Sequence, residues 1–213
     1  ADGMPVTFSR RVIGSGPRGA NVDPAAFTVI TRSGVRKTPL CATIAPALGP
    51  LEGHTVLLVG DLGDAESDPP VRVGVTGSLP LADGANGRGL TVAVTPLEHG
   101  PTLVLAIEYP AEEIPTNCPE QTTRVVVVVW AGGVVPRHGL SDEDHRAIYT
   151  VTSGGEAHTP FALGDLGDGD SYVPLCLCTD SPATEVRASP GVLEDPRGDL
   201  NPQTRVEVAH GVE

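Results

Sequence analysis

The chain has 213 residues, 39% of them hydrophobic but only 3% aromatic, and it carries a formal net charge of −13. So large an excess of carboxylates excludes the clustered Lys and Arg that track nucleic-acid phosphates, and it disfavours docking on anionic lipid. No apolar run approaches the roughly 20 residues that span a bilayer, so membrane insertion is not expected either.

The start, Ala1-Asp2-Gly3, fits a mature chain cleaved after a small residue. A polar strand is predicted around Val6 to Ile13, followed by a Gly/Pro/Asn turn region. Phe27-Thr28-Val29-Ile30-Thr31 then alternates apolar and polar residues, the period of a half-buried strand, and a turn follows at Ser33-Gly34. Beyond Thr38-Pro39 comes an irregular stretch, and then Gly60-Asp61-Leu62-Gly63-Asp64-Ala65-Glu66-Ser67. Further strands are predicted at Val71–Val75, Leu90–Val94 and Leu103–Tyr109, and Pro110 to Gln121 reads as a linker.

Much of this recurs. Thr123 to Trp130 forms a valine-dense strand, and Tyr149-Thr150-Val151 answers Phe27-Thr28-Val29. Thr159-Pro160 answers Thr38-Pro39, and Gly164-Asp165-Leu166-Gly167-Asp168-Gly169-Asp170-Ser171 repeats the acidic phrase. Leu90-Thr-Val-Ala-Val matches Thr204-Arg-Val-Glu-Val. With the two acidic phrases superposed, Pro70–Val75 falls on Pro174–Thr179, and residues 41–57 become an insertion peculiar to the first copy. Helical periodicity is nearly absent. The exception is Ser141-Asp142-Glu143-Asp144, which can cap a single turn.

The expected fold is therefore all-β, as two tandem Ig-like sandwiches. Repeat 1 covers 1–110, the linker 111–121 and repeat 2 122–213; one merged sandwich or barrel is the alternative. The run Val125–Val129 breaks alternation and calls for a strand covered on both faces, the alternative being an exposed surface for partner or fibre association.

Three residue sets could carry chemistry. Asp61, Asp64, Glu66 and Asp68 in one phrase, and Asp165, Asp168 and Asp170 in the other, offer carboxylates on glycine-curled loops of the kind that hold Ca²⁺. The alternation and distal Glu of an EF-hand are missing, and Asp and Gly are also ordinary turn residues. Cys41, Cys118, Cys176 and Cys178 make an even set, pointing to a secreted or periplasmic setting. Cys176 and Cys178 share one strand face, away from Leu175 and Leu177, and are poorly placed to bond each other. Each is expected to pair with Cys41 or Cys118; a soft-metal site at Cys-x-Cys is the alternative. The six histidines are dispersed. Arg197-Gly198-Asp199 spells an adhesion tripeptide but reads first as a loop.

No nucleophile elbow, P-loop or dinucleotide fingerprint is present. The sequence thus reads as an exported, non-catalytic binding or scaffolding protein with no cofactor beyond a candidate Ca²⁺, whose partner is another protein or a small ligand. A Ca²⁺-dependent adhesion module, or an enzyme with scattered Asp and His gathered between the repeats, are the competing readings.

Overall fold

The computed structural model describes residues 2–49, 52–110, 117–164 and 171–210. The chain is all-β and divides into two compact units between Leu97 and Glu98. Each has its own two-sheet sandwich and its own core.

In the first unit, β1 (Asp2–Thr7), β2 (Asn21–Val22), β5 (Cys41–Thr43) and β6 (Thr55–Gly60) form a sheet of order β1-β6-β5-β2. The facing sheet has the order β4-β3-β7-β8, from β3 (Phe27–Thr31), β4 (Arg36–Lys37), β7 (Pro70–Val75) and β8 (Thr91–Ala93). Alternation sets the inward faces: Phe27 and Val29 from one sheet meet Val56 and Leu58 from the other, all fully buried. Removing one such side chain from water is worth about 1.5–3 kcal/mol.

The second unit begins with β9 (Leu103–Pro110) and β10 (Arg124–Trp130), then β11 (Val135–Pro136), the one-turn helix α1 (Asp142–Ala147) and β12 (Tyr149–Ser153). There follow β13 (Glu156–His158), β14 (Ala162–Leu163), β15 (Tyr172–Leu177), β16 (Ala183–Ala188), β17 (Leu193–Glu194), β18 (Thr204–Glu207) and β19 (Ala209–His210). Its sheets have the orders β14-β15-β10-β9-β19 and β13-β12-β16-β18, and a short ribbon joins β11 to β17. The expected helix start is present as a capping box, with Ser141 and Asp144 exchanging side-chain and backbone hydrogen bonds. The valine run lies on the central strand β10. Val126 and Val128 enter the inter-sheet core, while Val125, Val127 and Val129 are buried on the opposite face.

The strand orders correspond: β1, β3, β4, β5, β6, β7 and β8 occupy the places of β10, β12, β13, β14, β15, β16 and β18. Register agrees as well. Phe27 lies opposite Val75 and Thr31 opposite Pro70, with an irregularity between Ile30 and Thr31. Tyr149 lies opposite Ala188 and Ser153 opposite Ala183, with the same irregularity between Thr152 and Ser153. Val73 faces Val92 as Val186 faces Val206.

This register corrects three expectations. The first acidic phrase follows β6, whereas the second lies between β14 and β15, and β15 is the counterpart of β6. The repeated phrase thus occupies different connections, and Pro70–Val75 corresponds to Ala183–Ala188 rather than to Pro174–Thr179. Residues 41–57 are no insertion, since they hold β5 and part of β6, a strand paired on both sides. Finally, Leu103–Pro110 does not complete the first unit, because it pairs with β10 from Arg124↔Pro110 to Trp130↔Leu103.

Candidate functional site

The acidic segment after β6 is the first place to look for chemistry. Gly63 has φ +140°, and a Cβ there would stand 2.9 Å from the Asp68 carbonyl oxygen, so the chain turns back on itself only with glycine. Asp64 and Asp68 exchange backbone hydrogen bonds of 3.1 and 3.0 Å across the turn. One oxygen of Asp64 accepts from the Ser67 N–H and hydroxyl, each at 2.7 Å, and from the Glu66 N–H at 3.2 Å. Asp68 accepts from the Ser33 N–H at 2.8 Å and the Ser33 hydroxyl at 2.7 Å, fastening the segment to the β3–β4 turn. Asp61 accepts from Lys37 Nζ at 2.8 Å.

These bonds hold all three carboxyls below the usual carboxylate range. The Lys37 ammonium acts on Asp61, the Ser67 N–H on Asp64 and the Ser33 hydroxyl on Asp68. Glu66 is exposed. Asp64 and Asp68 therefore serve as turn-closing acceptors for their own chain, and Asp61 as the partner of Lys37. Among the described residues no three His, Cys, Asp or Glu side chains gather as a metal-holding group. Asp165, Asp168 and Asp170 lie outside the described residues.

Of the four cysteines, Cys118 and Cys176 form a disulfide, with Cα atoms 5.7 Å apart. Cys176 is fully buried on the face of β15 opposite Leu175 and Leu177, as strand alternation requires. The bridge ties the segment preceding β10 to the strand beside it. Cys41 and Cys178 are exposed thiols, so the second expected bridge is absent and Cys176 is not available for a Cys-x-Cys dithiolate. Cys178 and His158 line a shallow cleft with Phe161 and Leu177. Register sets these two residues where the first unit has Asp61 and Lys37, an ion pair.

Arg197-Gly198-Asp199 is the tip of a tight turn. Asp195 Oδ1 accepts from the N–H groups of Arg197 and Asp199, and the Gly198 N–H donates to the Asp195 carbonyl. The first unit builds the same backbone turn at Leu81–Ala85, where the Gly84 N–H donates to the Leu81 carbonyl, but its aspartate stands two places later, Asp83 Oδ1 accepting from the Ala85 N–H. Gly84 and Gly198 have φ +79° and +83°. The tripeptide thus takes its glycine from a turn common to both units.

Two further polar clusters are assembled from separate strands. On β9 the Glu108 carboxylate is only 3% exposed, yet it meets Arg124 Nη1 at 3.0 Å, His210 Nδ1 at 2.8 Å and the Ala183 N–H at 3.3 Å. A lone acid within Leu103-Val104-Leu105-Ala106-Ile107-Glu108-Tyr109 was the available signal, since an acid on a buried strand needs partners. Across the second core, Trp130 Nε1–H donates to the Tyr149 hydroxyl at 2.9 Å, and that hydroxyl lies 3.0 Å from His145 Nε2. Burial depresses the His145 pKa to about 4 and raises that of Tyr149. The imidazole is therefore neutral, and the Tyr149 hydroxyl joins it to the Trp130 indole. Both clusters join elements of one sandwich, and neither opens on a described cleft.

Among the described residues no helix is long and apolar enough to cross a membrane. Comparison with known proteins finds no matching family model and no matching curated protein.

Proposed function

We propose that the two units are copies of one Ig-like frame and that the chain is an exported, non-catalytic protein that binds or scaffolds a partner. The observation that carries this reading is how its polar residues are employed. Asp61, Asp64, Asp68, Asp195 and Asn201 each satisfy the backbone or a neighbouring side chain in a connection between strands. Side chains committed in this way hold loops in shape, and shaped loops on a rigid sandwich are recognition surfaces. The Cys118–Cys176 bridge supports an oxidising compartment, and the surplus of carboxylates supports a partner surface that is basic or neutral.

The test is chemical cross-linking of the protein in its native source, followed by mass spectrometry. The expected result is a reproducible cross-linked partner and a recovered Cys118–Cys176 disulfide. Recovery with both cysteines reduced would overturn export, and the absence of any cross-linked partner would overturn binding.

A further inference from the structure

The two sandwiches share seven corresponding strands, and β9 and β19 have no described counterpart in the first unit. In the second unit β9 closes one side of the sandwich. It pairs along β10, and at its start the Leu103 N–H donates to Thr204 Oγ1 on β18 at 3.2 Å, bridging to the opposite sheet. Leu103 and Ala106 are buried in the core beneath it, with Val206 packed against that core and Val208 within it.

At the same place the first unit is open. The counterpart of β10 is β1, which ends its sheet, and Asp2, Gly3 and Pro5 are exposed. Counterparts of Thr204 and Val206 are Leu90 and Val92, 51% and 53% exposed, and the neighbouring Val71 is 40% exposed. Leu90 and Val92 stand at inward-facing positions along β8, exposed where no described residue takes the place of β9. The Phe8 N–H donates to the His54 carbonyl. Antiparallel alternation then turns the backbone groups of Gly3, Pro5 and Thr7 away from β6, toward the open edge. Pro5 offers a carbonyl there but no N–H, a device that discourages indiscriminate strand pairing. Charge is also reversed: Asp2 stands where Arg124 stands, and Arg124 is the residue that pairs with Glu108 of β9.

We propose that this open side is a docking site for an extended strand of a partner protein. That strand would be apolar at alternate positions, as β9 is, and basic where β9 carries Glu108. The strand adds antiparallel to β1, covers Leu90 and Val92, and sets its cation near Asp2. Main-chain bonds supply part of the affinity, and the apolar contacts supply the specificity that Pro5 makes necessary. This site rests on the binding reading above.

The probe is a synthetic peptide of residues 102–110 carrying Glu108→Lys, titrated into the full chain and followed by NMR. The expected result is slowed amide exchange at Gly3 and Thr7 together with shifts of the Leu90 and Val92 methyl signals. The peptide retaining glutamate should bind several-fold more weakly. Val92→Lys, at an exposed position, should weaken binding at least tenfold with an unchanged melting temperature, and Gly3→Pro should remove the protection at that edge. Binding that ignores both substitutions, or no binding at all, would overturn the site. So would a dimer in sedimentation that protects the same amides without peptide, since a second copy would then be the occupant. Native cross-links elsewhere on the chain together with a failed titration would sink this site alone, whereas no native cross-link at all would sink the reading beneath it.

Discussion

The Trp130 indole N–H and the Tyr149 hydroxyl meet at 2.9 Å across the two sheets of the second sandwich, both residues fully buried. Edge-to-face packing of their rings, with centroids 6.3 Å apart, accompanies the bond. The hydroxyl accepts from Trp130 and is hydrogen-bonded to His145, so its removal orphans two buried nitrogens at once. Tyr149→Phe should therefore cost about 2–4 kcal/mol, more than one ordinary hydrogen bond. Urea unfolding of the variant, followed by Trp130 fluorescence, measures it.

Acid should weaken the same region. With a folded pKa of about 4 against an ordinary value of 6.5, His145 binds its proton more readily in the unfolded chain. Its contribution is complete above pH 6.5 and is lost progressively as pH falls toward 4, up to about 3 kcal/mol. Buried His54 is shifted in the same direction in the first unit. The urea midpoint should fall between pH 7 and pH 4.5, and His145→Gln should flatten that fall for the second unit. An equal slope in the variant would show that His145 is not its source.

Reduction should act on one unit only. The Cys118–Cys176 bridge spans a sequence separation of 58 within the second sandwich, and a crosslink of that span contributes about 4 kcal/mol by chain entropy. Calorimetry with and without a phosphine reductant should show the second unit's transition shifted down and the first unit's unmoved. Cys41 and Cys178 should react with iodoacetamide in the native, unreduced protein.

The shared turn makes a paired prediction. A Cβ at Gly84 or at Gly198 meets nothing within 4 Å, so only the positive φ resists substitution. Gly84→Ala and Gly198→Ala should each cost about 1 kcal/mol, with similar values because the two backbone turns hold glycine at nearly the same φ. Thermal melts of the single variants compare them, and a cost confined to Gly198 would mark the Arg-Gly-Asp tip as something other than this turn.

How much of this was readable in the sequence depends on how local each feature is. Strand positions and inward faces were readable, because alternation such as Phe27, Val29 and Thr31 is written in consecutive residues. The shared face of Cys176 and Cys178 follows from the same period of two. Candidate chemistry was harder to judge. Asp64 and Asp68 looked alike as ligands, and only Ser33, distant in the chain, shows that Asp68 is a fastening point. Glu108, His210, Trp130, Tyr149 and His145 left no linear pattern, since their partners come from separate strands.

An all-β chain, its turns and the matched pair Phe27–Val29 and Tyr149–Val151 are local properties, since backbone preference and apolar alternation act over a few residues. Long-range pairing settles that the two Gly-Asp-Leu-Gly-Asp phrases fall in different connections, which cysteines meet, and that Leu103–Pro110 belongs with β10. Gly-Asp-Leu-Gly-Asp describes a turn, and the same turn chemistry serves any connection. Strand pairing is settled instead by how complete sheets bury their inward faces against each other, a property of the whole unit.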